Sequence, residues 1–125
     1  MATDYTVPRA AYQRAAVMTA SQGQLIVMLY DGAGRFLAQA SAAMALRQIE
    51  DAHNKLRRAE LIIGHLSASL DHEQGGELSG RLAAIYAFCL RHLNQARLHA
   101  DPERIDQVRD LLGKLRDAWA QITSD

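Results

Sequence analysis

An all-α chain, an antiparallel up-down four-helix bundle behind a short N-terminal arm, is the fold class this sequence predicts. Three observations carry that expectation. Apolar residues recur at alternating steps of three and four along four stretches of about twenty residues each. Ala and Leu dominate a 49% apolar share while β-branched residues are few, which is helix composition. The breaks between the stretches are short, which favours antiparallel neighbours. With 125 residues the chain has the size of one domain and can bury a core without disulfide staples.

Residues 1–20 show no sustained period, and Pro8 with its small neighbours predicts a mobile arm with room for one short helix after Ala10. The bundle is expected over residues 21–123. Ser21-Gln22-Gly23-Gln24 fits a capping box, opening a first helix from about Gln22 to Leu46. Its inward face is read as Ile26, Leu29, Ala33, Phe36, Ala40 and Ala43. A second helix starts near Ile49 or Glu50, with the seam Ile49, Ala52, Leu56, Ala59, Ile63, Leu66 and Leu70. Gly75-Gly76 supplies the residue type that tolerates positive φ and divides it from a third helix, expected from about Glu77 to His99. Leu78, Leu82, Ile85, Cys89, Leu93 and Ala96 are placed inward there. Asp101-Pro102-Glu103 then reads as N-cap, first-turn proline and first-turn acid. Ile105, Val108, Leu112, Leu115, Trp119 and Ile122 form the fourth seam.

Charge and cysteine usage narrow the function classes. Fourteen Lys and Arg balance fourteen Asp and Glu, whereas a nucleic-acid or anionic-membrane binder normally carries a basic excess. Neither nucleic acid nor membrane insertion is therefore expected. The longest charge-free stretch, residues 15–30, is interrupted by Thr19, Ser21, Gln22, Gly23 and Gln24 and falls short of the ~20 apolar residues of a membrane span. No signal-peptide h-region stands at the N-terminus. A single cysteine fits a reducing compartment, so a cytoplasmic protein is expected.

No enzyme is expected either. Gly32 and Gly34 lie inside a predicted helix without the strand or the Lys-Ser/Thr ending of a phosphate loop, so close approach by a neighbouring helix is the reading. Glu50 and His53 make one Glu-x-x-His pair, where a di-iron bundle needs two and further carboxylates; no metal and no cofactor are expected. Cys89 on the inward face behaves as a small apolar residue. Asp31 and Arg35 suit a surface ion pair. His53 leaves one alternative, a histidine phosphotransfer bundle, although Arg57 and Arg58 stand where such a helix wants a small residue.

Surplus apolar surface is the informative signal. Leu61, Ile62 and Ile63 are consecutive and sweep roughly 200° of a helix at about 100° per residue. Phe88 and Leu90 flank Cys89, Leu98 lies beyond Ala96, and Leu25, Met28, Leu37 and Met44 add to the first seam. Two readings stay open: a wide core absorbs these residues, or they form a groove for an amphipathic partner helix. In the second reading Tyr5, Val7, Tyr12, Val17 and Met18 of the arm cover that groove when it is empty.

Tyr12-Gln13, residues 17–21 (Val-Met-Thr-Ala-Ser), residues 25–33 (Leu-Ile-Val-Met-Leu-Tyr-Asp-Gly-Ala) and Arg35-Phe36 together resemble the N-terminal signature of the flagellar secretion chaperone family FliS. Leu70-Asp71, Glu73 and Gly75-Gly76-Glu77-Leu78 are similar to the turn between that family's second and third helices. Ile85-Tyr86, Leu93-Asn94-Gln95-Ala96, Asp101 and residues 115–119 (Leu-Arg-Asp-Ala-Trp) continue the likeness in register to about Ile122. Gln22 departs from the proline often found after the capping serine, and the chain has no basic or extended tail. The resemblance implies a cytoplasmic chaperone for the disordered C-terminal segment of flagellin. Such a chaperone blocks premature polymerisation and assists flagellar type III export. It also implies an arm, with Tyr12 matching its tyrosine, that moves aside for flagellin and docks to an export gate protein. The partner-binding residues expected are Tyr5, Val7, Tyr12, Val17, Met18, Leu25, Met28, Leu61, Ile62, Phe88 and Leu90, on a monomer or weak homodimer.

Overall fold

A computed structural model describes residues 22–123. They form four helices, α1 (Gln22–Ala45), α2 (Ile49–Ala68), α3 (His72–His99) and α4 (Pro102–Thr123), and no strand occurs among the described residues. Helix α1 packs against α2 and α4, and α3 packs against the same two, so α1 and α3 occupy opposite corners. Asp31 meets Arg116 while Ser41 meets the Pro102 carbonyl; numbers that rise on one helix and fall on the other make α1 and α4 antiparallel.

Local chemistry accounts for the helix boundaries. Asp71 caps α3 by accepting the Glu73 and Gln74 amides at 3.1 Å each. Asp101 accepts the Glu103 amide at 3.0 Å and holds Arg104 at 3.2 Å, with Pro102 in the first helical position. Helix α2 has no side-chain cap, but Glu50 and Asp51 lie in its positive first turn. α3 starts five residues earlier than Glu77. Gly76, at φ 51° and ψ −123°, breaks the path between a first turn and the main helix. Only a residue without Cβ adopts that conformation cheaply.

The core is built from small residues alternating with large ones. Ala33, Ala40, Ala52, Ala59 and Ala96 are fully buried with Leu37, Leu56, Ile63, Leu93 and Ile105. Gly32 is buried at the α1–α2 contact, where a Cβ would stand 3.3 Å from Ile62 Cδ1, so the expected close approach occurs there. It does not occur at Gly34, where an added Cβ meets nothing within 4 Å. The inward face of α1 is also rotated from expectation: Tyr30, Leu37 and Met44 are buried, while Ile26, Leu29 and Phe36 are packed at the core's edge. Toward the helix ends the seams depart from expectation. Ile49, Leu78 and Ile122 were expected inward and are exposed.

Across the centre, Tyr30 and Tyr86 join α1 to α3 by a hydroxyl–hydroxyl hydrogen bond of 2.5 Å. Burial is the largest cause raising both phenols above their ordinary range, and it pushes the Cys89 thiol up to about 11.

Candidate functional site, an apolar surface divided among the grooves

Leu61 is 63% exposed and Phe88 43%, large fractions for side chains whose transfer to an apolar setting is favourable by about 1.5–3 kcal/mol each. Yet they do not share one groove. Leu61 lies two residues, or roughly 200°, from the buried Ile63 and points away from the core of α2. Phe88 stacks on His92 with ring centres 5.1 Å apart, and His92 in turn meets Gln107 of α4 at 2.6 Å, so Phe88 belongs to the α3–α4 side. Leu90 lies seven residues before Arg97, which is bonded to Glu60 of α2 at 2.7 Å; two helical turns place Leu90 on the α2–α3 side. Ile62 is turned toward α1 against Gly32.

The fate of the expected site residues is thus uneven. Met28, Leu61 and Phe88 are exposed; Leu25 is half-buried; Ile62 and Leu90 are half-buried and packed on the core. Leu37 and Met44, counted as surplus from the sequence, are core residues. Tyr5, Val7, Tyr12, Val17 and Met18 lie outside the described residues, as does the Ser21 cap. Leu46, Ile49, Leu78, Leu98 and Ile122 join the exposed apolar set. All five sit at or near helix ends, and for Leu78 the signal was the glycine pair just before it.

Concavities also open on the surface of the described residues. One, of about 160 Å³, opens where α1 begins and is lined by Gln22, Ile26, Leu70, Leu78, Tyr86 and Trp119 among others. Another is a trough of about 840 Å³ between α1 and α4. Its upper end is closed by Asp31, which accepts from Arg116 at 2.8 Å. That bond raises the Arg116 guanidinium further, and it replaces the expected Asp31–Arg35 pair. His53 is half-buried. Among the described residues no group of three or more His, Cys, Asp or Glu is placed to hold a metal ion, and no helix is long and apolar enough to cross a membrane.

Comparison with known proteins gives this surface its context. A solved structure titled a flagellar chaperone from bacteria superposes with a TM-score of 0.78, covering 92% of this chain and 96% of that one at 17% identity, which shows a shared fold. The chain is 39% identical to the flagellar secretion chaperone FliS of Salmonella typhimurium over 109 residues, 86% of this chain and 81% of that protein. It is 34% identical to the FliS of Bacillus subtilis over 114 residues, 91% and 84% of the two chains. The family described as Flagellar protein FliS matches residues 5–125, and with these relatives it establishes that the chain belongs to the FliS family of flagellar secretion chaperones.

Proposed function

We propose that this protein is a non-enzymatic cytoplasmic chaperone that binds the disordered C-terminal segment of flagellin, holds it from polymerising and delivers it for flagellar export. The observation that carries the proposal is the likeness, along nearly the whole chain, to proteins named flagellar secretion chaperones. The dispersal of the exposed apolar side chains supports it. A disordered segment that folds on binding loses several kcal/mol in ordering, so its interface must be long and mostly apolar. Patches spread over the outer face of α2 and the two sides of α3 suit a ligand that wraps the bundle better than one seated in a single pocket. Mass action does the rest: apolar faces capped by the chaperone are withdrawn from self-association.

The arm completes the reading. In this reading Tyr5, Val7, Tyr12, Val17 and Met18 of the arm cover the partner-binding surface when it is empty, and the arm moves aside for flagellin and docks to an export gate protein. Titration calorimetry with a peptide of about forty C-terminal flagellin residues is expected to give 1:1 binding with a negative heat-capacity change. Absence of binding at micromolar concentrations rejects the reading. The phosphotransfer alternative at His53 has no support from the relatives, all of them named as chaperones.

A further inference from the structure

The trough between α1 and α4 is unlike the apolar patches. Its floor is made of Gly34, Ala38 and Gly113 over the core residue Leu112, and a side chain added at either glycine would meet nothing within 4 Å. Along the rims stand Arg35, Arg109 and Lys114, all exposed. Among the described residues none of the three enters an ion pair, whereas Asp31 and Asp117 are both engaged by Arg116. Arg116 offsets only one of those two charges, so with Asp110 the lining carries four cations against three carboxylates, an excess of one positive charge, and the unpaired cations stand at the rims. The lining runs from Tyr30 to Gln39 on α1 and from Arg109 to Asp117 on α4, a little over two helical turns, about 12–14 Å, on each side.

The geometry points to this trough as a docking site for an acidic amphipathic helix of a partner protein, its small apolar face against Gly34, Ala38 and Gly113 and its carboxylates toward Arg35, Arg109 and Lys114. A floor without side chains lets a third helix approach α1 and α4 closely. Rim cations select the charge of what enters and quicken its arrival. The site lies opposite Leu90, which is on the α2–α3 side, and next to the α3–α4 side that carries Phe88; binding of the flagellin peptide to a trough variant therefore separates the two readings.

The probe is a synthetic amphipathic peptide of about 18 residues, long enough to form a helix in contact, with Ala and Leu on one face and Glu on both flanks. A control peptide carries Lys in place of Glu. Fluorescence anisotropy with the full chain is expected to show binding of the Glu peptide only, weakening about tenfold as salt rises from about 50 to 200 mM. In the R109E/K114E variant the Glu peptide should lose at least about tenfold in affinity and the Lys peptide should gain, a reversal that loss of folding cannot imitate. Gly113→Leu should block the Glu peptide with no lower melting temperature and with the flagellin peptide still bound. No binding at low salt, no change of preference on charge reversal, or unimpaired binding to the Gly113→Leu variant overturns the proposal. So does concentration-dependent self-association that Gly113→Leu abolishes, for then a second copy is the occupant.

Discussion

Helices α1 and α3 stand at opposite corners of the same bundle and meet through one buried hydrogen bond, yet they spend their apolar residues differently. Along α1, Gly32, Ala33, Leu37, Ala40, Ala43 and Met44 are buried, and the small residues among them bring α2 and α4 close on either side. α3 buries Leu82, Tyr86, Cys89, Leu93 and Ala96 but leaves Leu78, Phe88 and Leu98 in solvent. A helix that supplies the core on two sides tolerates little change. One that keeps a narrow inward stripe can present apolar side chains to a partner at small cost to folding. The contrast teaches that α1 spends most of its apolar residues on the core, Met28 excepted, while α3 leaves more of its large ones in solvent, and it is open to attack.

The strongest attack is a pair of truncations. Leu37→Ala on α1 should destabilise by about 2–5 kcal/mol, as for other buried leucines. Phe88→Ala on α3 should cost under about 1 kcal/mol, since the ring is 43% exposed, while weakening the flagellin peptide. Urea denaturation and the calorimetric titration read the two effects. Equal destabilisation by both would dissolve the distinction between the helices.

Where α1 and α3 meet, pH provides the next test. Burial raises the Tyr30 and Tyr86 phenols above the ordinary 10.0 and lifts the Cys89 thiol from 9.0 to about 11. These groups keep their protons in the folded chain after the unfolded chain has begun to lose them. Stability is therefore present below about pH 9; the share of Cys89 is lost as pH climbs through 9–11 and that of the phenols from about pH 10 upward, at up to about 1.4 kcal/mol per pH unit for each group in play. The Tyr30→Phe/Tyr86→Phe double variant removes both hydroxyls together, so neither is left buried without a partner, and should flatten this decline to what Cys89 alone causes. An alkaline melting profile indistinguishable from wild type would mean that the phenols are solvated.

On α2 the comparison reappears within two adjacent residues. Leu61→Asp should weaken the flagellin peptide with a change in stability under about 0.5 kcal/mol, the usual range for an exposed site. Ile62→Asp should instead lower stability by about 1–3 kcal/mol, because a carboxylate would be forced against Gly32 and the core edge. Thermal melts that rank the pair the other way would place Leu61 in the core's service.

Much of this was legible beforehand, for reasons that differ along the chain. The seam of α2 from Ala52 to Leu66 was readable because a heptad pattern leaves one solution for a helix packed on both sides. The cap at Asp101 was readable because Asp-Pro-Glu has few other uses. Helix α1 was less so. Ala and Gly make its faces nearly equivalent in hydropathy, and only packing chose Tyr30, Leu37 and Met44 over Ile26, Leu29 and Phe36. The site was harder still. Leu61 and Ile62 are neighbours of like hydropathy, and which of them faces Gly32 is decided by a third residue on another helix. The trough could not be read at all, since its floor is an absence of side chains at Gly34 and Gly113, and its rim cations come from helices far apart in sequence.

The smallest expected effect concerns what the two helices share. α1 and α3 both end in a left-handed residue that is not glycine, Arg47 at φ 61° and Ala100 at φ 50°. In both, the next amide reaches back five residues, Gln48 to the Ala43 carbonyl at 2.9 Å and Asp101 to that of Ala96 at 3.0 Å. A Cβ in this conformation costs about 1–2 kcal/mol, and glycine relieves it at the expense of a more flexible unfolded chain. Arg47→Gly and Ala100→Gly should each stabilise by about 0.5–1 kcal/mol, and together the gains should add, because the two turns share no hydrogen bond. Equal gains would locate the difference between α1 and α3 wholly in their faces. A loss at Arg47 alone would show that its side chain holds the α1–α2 turn, making the two helix ends as unlike as their surfaces.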